Sequence, residues 1–153
     1  MTEYLLKLDP KENPEFTNLV EEYNQIMITY DEIMGDLHKL RISMFTYFES
    51  KKQLKEIGPR LKKLQDIFLD WSARVKKFCF EPTLRPAHGP ESPLTFLHFT
   101  AELRDLRNLM ETYMIMLKDG YNLRYSEVKG KRDYLIAMTG LVLSLIALWI
   151  SFD

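Results

Sequence analysis

The side chains able to do chemistry in this sequence are few, and their spacing suits none of the common sites. His38, His88 and His98 are the only histidines, and Cys79 is the only cysteine. His98 and Glu102 stand four apart, which on a helix places them on one face, but two ligands leave a metal ion half coordinated. A carboxylate-bridged di-iron bundle needs paired Glu-x-x-His motifs, and none occurs. Arg85 and His88 are too close together for the Arg-x(4–6)-His pair of HEPN-type ribonucleases. Neither common glycine-rich phosphate loop is present. A lone cysteine makes no intramolecular disulfide and no thiolate zinc site. Between Phe78 and Phe80, Cys79 reads as a small packed residue, not a nucleophile. No catalytic residue, metal or cofactor is expected; an enzyme would need a site assembled wholly by the fold.

The elements that position these residues are helical. A length of 153 residues suits one domain. The 28% charged and 46% apolar fractions describe an ordered chain. Its 22 acidic residues include Asp133 and Asp153, so residues 1–132 hold 20 acids against all 21 bases. So even a balance argues against a dedicated nucleic-acid binder. The start, Met1-Thr2-Glu3-Tyr4, has neither the basic end nor the apolar run of a signal peptide.

Tyr134 to Phe152 reads YLIAMTGLVLSLIALWISF, without a charge. Nineteen helical residues at about 1.5 Å each cover roughly the 30 Å of a hydrocarbon core. Ten are Leu, Ile, Val or Phe; their summed insertion free energy, about −3 to −6 kcal/mol, outweighs the cost of Thr139, Gly140, Ser144 and Ser151. Residues 133–153 are therefore expected to form a transmembrane anchor, with Tyr134 and Trp149 at the two interfaces. Lys129, Lys131 and Arg132 precede it and only Asp153 follows, which puts the N-terminal body in the cytoplasm and makes the topology tail-anchored. Within the span, Ala137, Gly140, Ser144, Ala147 and Ser151 recur at 3-4-3-4 spacing. Such a stripe of small residues suits close helix–helix packing and so a homo-oligomer.

Ahead of the span the apolar period predicts a cytoplasmic bundle over 14–132, after a tail of residues 1–13. Its first helix covers about 14–57, started by Asn13-Pro14 and ended by Gly58-Pro59, with a stripe that includes Phe16, Tyr23, Tyr30, Leu37, Met44, Tyr47 and Phe48. Gly35 reads as a kink or close crossing. The second helix covers about 59–80, with Leu61, Leu64, Phe68, Trp71, Val75 and Phe78 as a coiled-coil-like seam. Residues 81–93 hold four prolines and form a loop. From a cap at Ser92, a third helix over 94–132 buries Phe99, Leu103, Leu106, Met110, Tyr113 and Leu117, then runs into the membrane with little or no break. The expected fold is all-α: an up-down three-helix bundle whose last helix becomes the membrane span. In that order the Gly58-Pro59 turn faces the bilayer. Lys51, Lys52, Lys55, Arg60, Lys62 and Lys63 then join Lys129, Lys131 and Arg132 in contact with lipid headgroups.

In layout, Leu103 to Ser151 resembles the stalk and first span of CorA-type divalent-cation channels, with Lys118 to Tyr134 similar to their juxtamembrane stretch. The resemblance implies a parallel oligomer of stalk helices. The Gly-Met-Asn tripeptide of that family is replaced here by Ile150-Ser151-Phe152-Asp153, and a second span and an N-terminal α/β domain are missing, so no ligand residue carries over. The reading reached from the sequence is a non-enzymatic, membrane-anchored interaction or scaffold module with a protein partner. The alternative is an oligomeric pore lined by Thr139, Ser144 and Ser151, with Gly140 the point of closest approach.

Overall fold

The computed structural model describes residues 14–80 and 93–152. Within them lie three helices and no strand: α1 (Pro14–Lys39), α2 (Tyr47–Phe80) and α3 (Pro93–Phe152). The expected N-terminal tail with its Asn13 cap, the proline-rich loop with Arg85, His88 and the Ser92 cap, and Asp153 lie outside the described residues.

All three helices contribute to one core. α1 buries Phe16, Leu19, Val20, Tyr23, Ile26, Met27, Tyr30, Ile33 and Leu37. α2 buries its whole expected seam from Leu61 to Phe78, and α3 adds Phe99, Leu103, Met110, Met114, Leu117 and Val128. Trp71 is the largest of the fully buried side chains. Its indole Nε1 donates to the Leu19 carbonyl at 2.8 Å, so its one polar atom is satisfied inside the apolar core. Phe16 stacks on Phe99 at 4.3 Å and Tyr30 on Tyr113 at 5.3 Å. At the rim, Arg74 binds Glu22, and Arg60 binds Asp36 at 2.6 Å. Between α2 and α3, the Cys79 thiol reaches the Thr100 carbonyl, Arg107 Nε donates to Ser72 Oγ at 2.9 Å, and Tyr121 Oη donates to the Leu54 carbonyl at 3.4 Å.

The first helix break differs from the expectation. α1 ends at Lys39 instead of running to residue 57, and α2 starts at Tyr47 and passes through Pro59. An interior proline costs about 3 kcal/mol because it removes an N–H and crowds the preceding turn. Leu54, Ile57, Leu61 and Leu64, buried on either side of it, contribute roughly 1.5–3 kcal/mol each and would lose their register at a break. Pro59 and Lys55 are both exposed, so the carbonyl left without a donor is on the watered side of the helix. Gly58 eases the arrangement twice. It offers the Pro59 ring no Cβ to strike, and it leaves room for α3, since a Cβ there would sit 2.9 Å from Tyr121 Oη.

The true break is made by polar side chains. Ser43 Oγ accepts from the Thr46 amide at 3.2 Å while Thr46 Oγ1 accepts from the Ser43 amide at 3.0 Å, a reciprocal cap at the head of α2. Ser50 Oγ contacts the Arg41 carbonyl at 3.1 Å and the Thr46 carbonyl at 2.9 Å, tying the connector to the first turn of α2. Gly35 is no close crossing: it lies inside α1, and among the described residues a Cβ there would meet nothing within 4 Å.

Candidate functional site

Cys79 is half-buried, and burial pushes its thiol above the ordinary value, with Arg104 and Arg107 acting in the opposite sense. The cleft beside it, lined by Val75, Cys79, Phe80, Thr100, Arg104 and Arg107, encloses only about 90 Å³, well below the ~300 Å³ of a small-molecule site. Among the described residues no group of three His, Cys, Asp or Glu side chains comes together.

The feature that stands out is the end of α3. The helix runs unbroken for 60 residues, about 90 Å, through Gly120 and Gly130. Its last fully buried residue is Val128, and Leu135 is the last that packs partly on the core. From Ile136 to Ser151 every residue is exposed. This stretch is long and apolar enough to cross a membrane, and none of its most apolar window is buried against the rest of the chain. So it is no core helix of this fold. Tyr134 and Trp149 are exposed at its two ends.

Ala137, Gly140, Ser144, Ala147 and Ser151 share one open face, and nothing in the chain comes within 4 Å of a Cβ placed on Gly140. The hydroxyls of this stretch are satisfied within the helix. Thr139 Oγ1 donates to the Leu135 carbonyl at 2.9 Å, Ser144 Oγ to Gly140 at 2.8 Å and Ser151 Oγ to Leu148 at 2.8 Å. With these bonds made, the span needs no polar partner in order to sit in hydrocarbon.

The basic flanks need a correction. Since the break lies before Tyr47, Gly58-Pro59 is no turn, and its neighbours do not cluster around one. Leu54 and Gly58 meet Tyr121, thirteen residues or about 20 Å along α3 from Tyr134. Arg60, Lys62 and Lys63 lie further still along α2, and Arg60 is held by Asp36 and Glu32 of α1. Lys51, Lys52 and Lys55 lie nearer the head of the same helix. Arg132 binds Asp133 at 2.8 Å, and that hydrogen bond holds its guanidinium above the ordinary value, with a smaller contribution from the nearby Tyr47.

Apolar periodicity misplaced Phe48: expected in the buried stripe, it sits in the first turn of α2 and is 78% exposed, while Phe45, in the connector between α1 and α2, is 99% exposed. A signal for this was present: Ser43-x-x-Thr46 has the spacing of a helix cap inside an otherwise periodic run. No family model matches the chain, and neither a curated protein nor a solved structure is similar to it.

Proposed function

We propose that this chain is a non-enzymatic membrane-anchored scaffold: an up-down three-helix bundle on the cytoplasmic face, held by the C-terminal part of α3 and self-associating through it. The observation that carries the reading is that α3 places apolar residues in the core as far as Val128, with Leu123 and Tyr125 exposed on its other side, and leaves every residue from Ile136 to Ser151 exposed. In water each large apolar side chain left exposed forgoes roughly 1.5–3 kcal/mol of burial, and a bilayer supplies that burial without any further protein.

The order of contacts supports the up-down arrangement. Along α1 and α2 the pairs Leu19–Trp71 and Asp36–Arg60 run in opposite senses; so do Cys79–Thr100 and Leu54–Tyr121 along α2 and α3. Lys129, Lys131 and Arg132, with Lys51 and Lys52, then lie nearest the bilayer, where each cation contributes about 1 kcal/mol beside an anionic leaflet. This bias sets the cytoplasmic orientation. The face with Ala137, Gly140, Ser144 and Ala147 is the packing surface for a second copy, the parallel association that the CorA-like layout implies. The bundle is left to bind a protein partner.

The test is the full chain in liposomes loaded with a self-quenched dye. A scaffold retains the dye, cross-links as an oligomer, and loses the cross-link in Ser144→Leu without any change in leakage. Release that Ser144→Leu abolishes would establish the pore instead, and a clean monomer at all concentrations would remove self-association.

A further inference from the structure

Outside α3, the most exposed apolar side chain of the described residues is Phe45, at 99%, with Phe48 next at 78%. Neither is exposed through looseness. The Ser43–Thr46 reciprocal cap and the Ser50 bonds to Arg41 and Thr46 hold the connector in one shape, and Phe48 packs edge-on against the buried Tyr47 ring at 5.1 Å. The fold therefore orders a turn whose apex is an uncovered phenylalanine, at a position where a polar residue would serve a soluble turn better.

The position of this turn along α3 indicates what covers it. Leu54 meets Tyr121; stepping seven residues back along α2 and seven forward along α3 pairs Tyr47 with Val128, and both are buried in the shared core. Tyr47 is also close enough to act electrostatically on Arg132. Ile42 and Leu135 both pack on that end of the core. Phe45 stands two residues ahead of Tyr47, where α2 begins. Exposed Arg41, Lys51 and Lys52 flank Phe45 and Phe48 in the sequence, with Glu49 the only acid between residues 41 and 55. By the same register the uncovered stretch begins at Ile136, eight residues or about 12 Å past Val128, and an exposed apolar tip with cations close to it in sequence suits the headgroup–acyl boundary of an anionic bilayer.

We infer that the connector from Arg41 to Phe48 is a second membrane contact, which inserts Phe45 and Phe48 into the interface beside α3. This rests on the reading of α3 as a membrane span. Two contacts at separate points on the bundle would fix its tilt and rotation over the bilayer, which a single helix leaves free.

The experiment uses the full chain with Cys79→Ser and one new cysteine, Phe45→Cys, Leu69→Cys or Leu145→Cys, each carrying the same environment-sensitive fluorophore. Each is reconstituted into vesicles of phosphatidylcholine and phosphatidylglycerol, with and without lipids bearing a quencher high on the acyl chain. Leu69 is exposed in the middle of α2 and serves as the aqueous reference. The label at 45 should be blue-shifted and quenched about threefold more than at 69, as insertion of roughly 5–10 Å requires. In the same labelled protein Phe48→Asp should bring the label at 45 back toward the value at 69. Equal signals at 45 and 69 while 145 is shielded would overturn the inference and leave the span standing; a solvent-exposed label at 145 would overturn both. A blue shift at 45 without quenching would mean that protein covers Phe45, and would overturn the inference as well.

Discussion

Trp71 shows how one residue ties two helices. It is fully buried, touches Tyr23 and Phe68 with ring centroids at 5.9 and 6.2 Å, and spends its indole N–H on the Leu19 carbonyl. Trp71→Phe should lower the unfolding free energy by about 2–4 kcal/mol, the sum of a lost buried hydrogen bond and a partly filled cavity. The check is a chemical denaturation midpoint followed by circular dichroism in mild detergent. A change under 1 kcal/mol would mean that the indole is not the link between α1 and α2. Cys79 is the contrasting case. Its thiol is half-buried and held above the ordinary value by burial, and of its flanking phenylalanines Phe78 is buried while Phe80 is exposed.

At the scale of elements, the apolar period was read correctly, as were the end of α2 at Phe80 and the unbroken run of α3 through Gly120 and Gly130, but the break between α1 and α2 was not. The seam from Leu61 to Phe78 and the stripe from Phe16 to Leu37 are buried as the spacing predicts. Gly35 and Gly58-Pro59 misled, because their meaning depends on what lies across from them. Gly58 faces Tyr121 and precedes a proline that the helix absorbs, whereas Gly35 faces open space. Gly35→Ala should therefore stabilise α1 by about 0.5–1 kcal/mol through reduced backbone freedom in the unfolded chain. A rise in melting temperature would bear this out; a fall would restore the kink or crossing. The break at Ser43 to Thr46 rests on polar side-chain bonds, which compete with helix continuation without leaving a mark on hydrophobic periodicity.

For the molecule as a whole, the dominant fact is the division of α3 into a part that packs and a part that packs on nothing. Leu141→Asp together with Leu145→Asp puts two carboxylates into the exposed run. At about 2.5–3.5 kcal/mol each, they cancel the estimated insertion free energy of the segment. The wild-type chain should sediment with membranes after alkaline extraction and the double variant should remain in the supernatant, with the bundle still helical. Equal partition of the two would remove the membrane from the account.

The sequence by itself determined the all-helical class, the faces that α1 to α3 bury, and the presence of one uncharged helix long enough for a bilayer. Each of these is a property of neighbouring residues in a single helix, set by a period of 3.6 and by the lack of charge. Only the tertiary structure decided that α2 continues through Pro59, that Arg60 is occupied by α1, and that Phe45 and Phe48 are exposed. Those outcomes depend on residues far apart in the sequence, such as Leu54 and Tyr121 or Asp36 and Arg60. A helix break is a balance between local cost and distant burial, and only half of that balance is written in the local sequence.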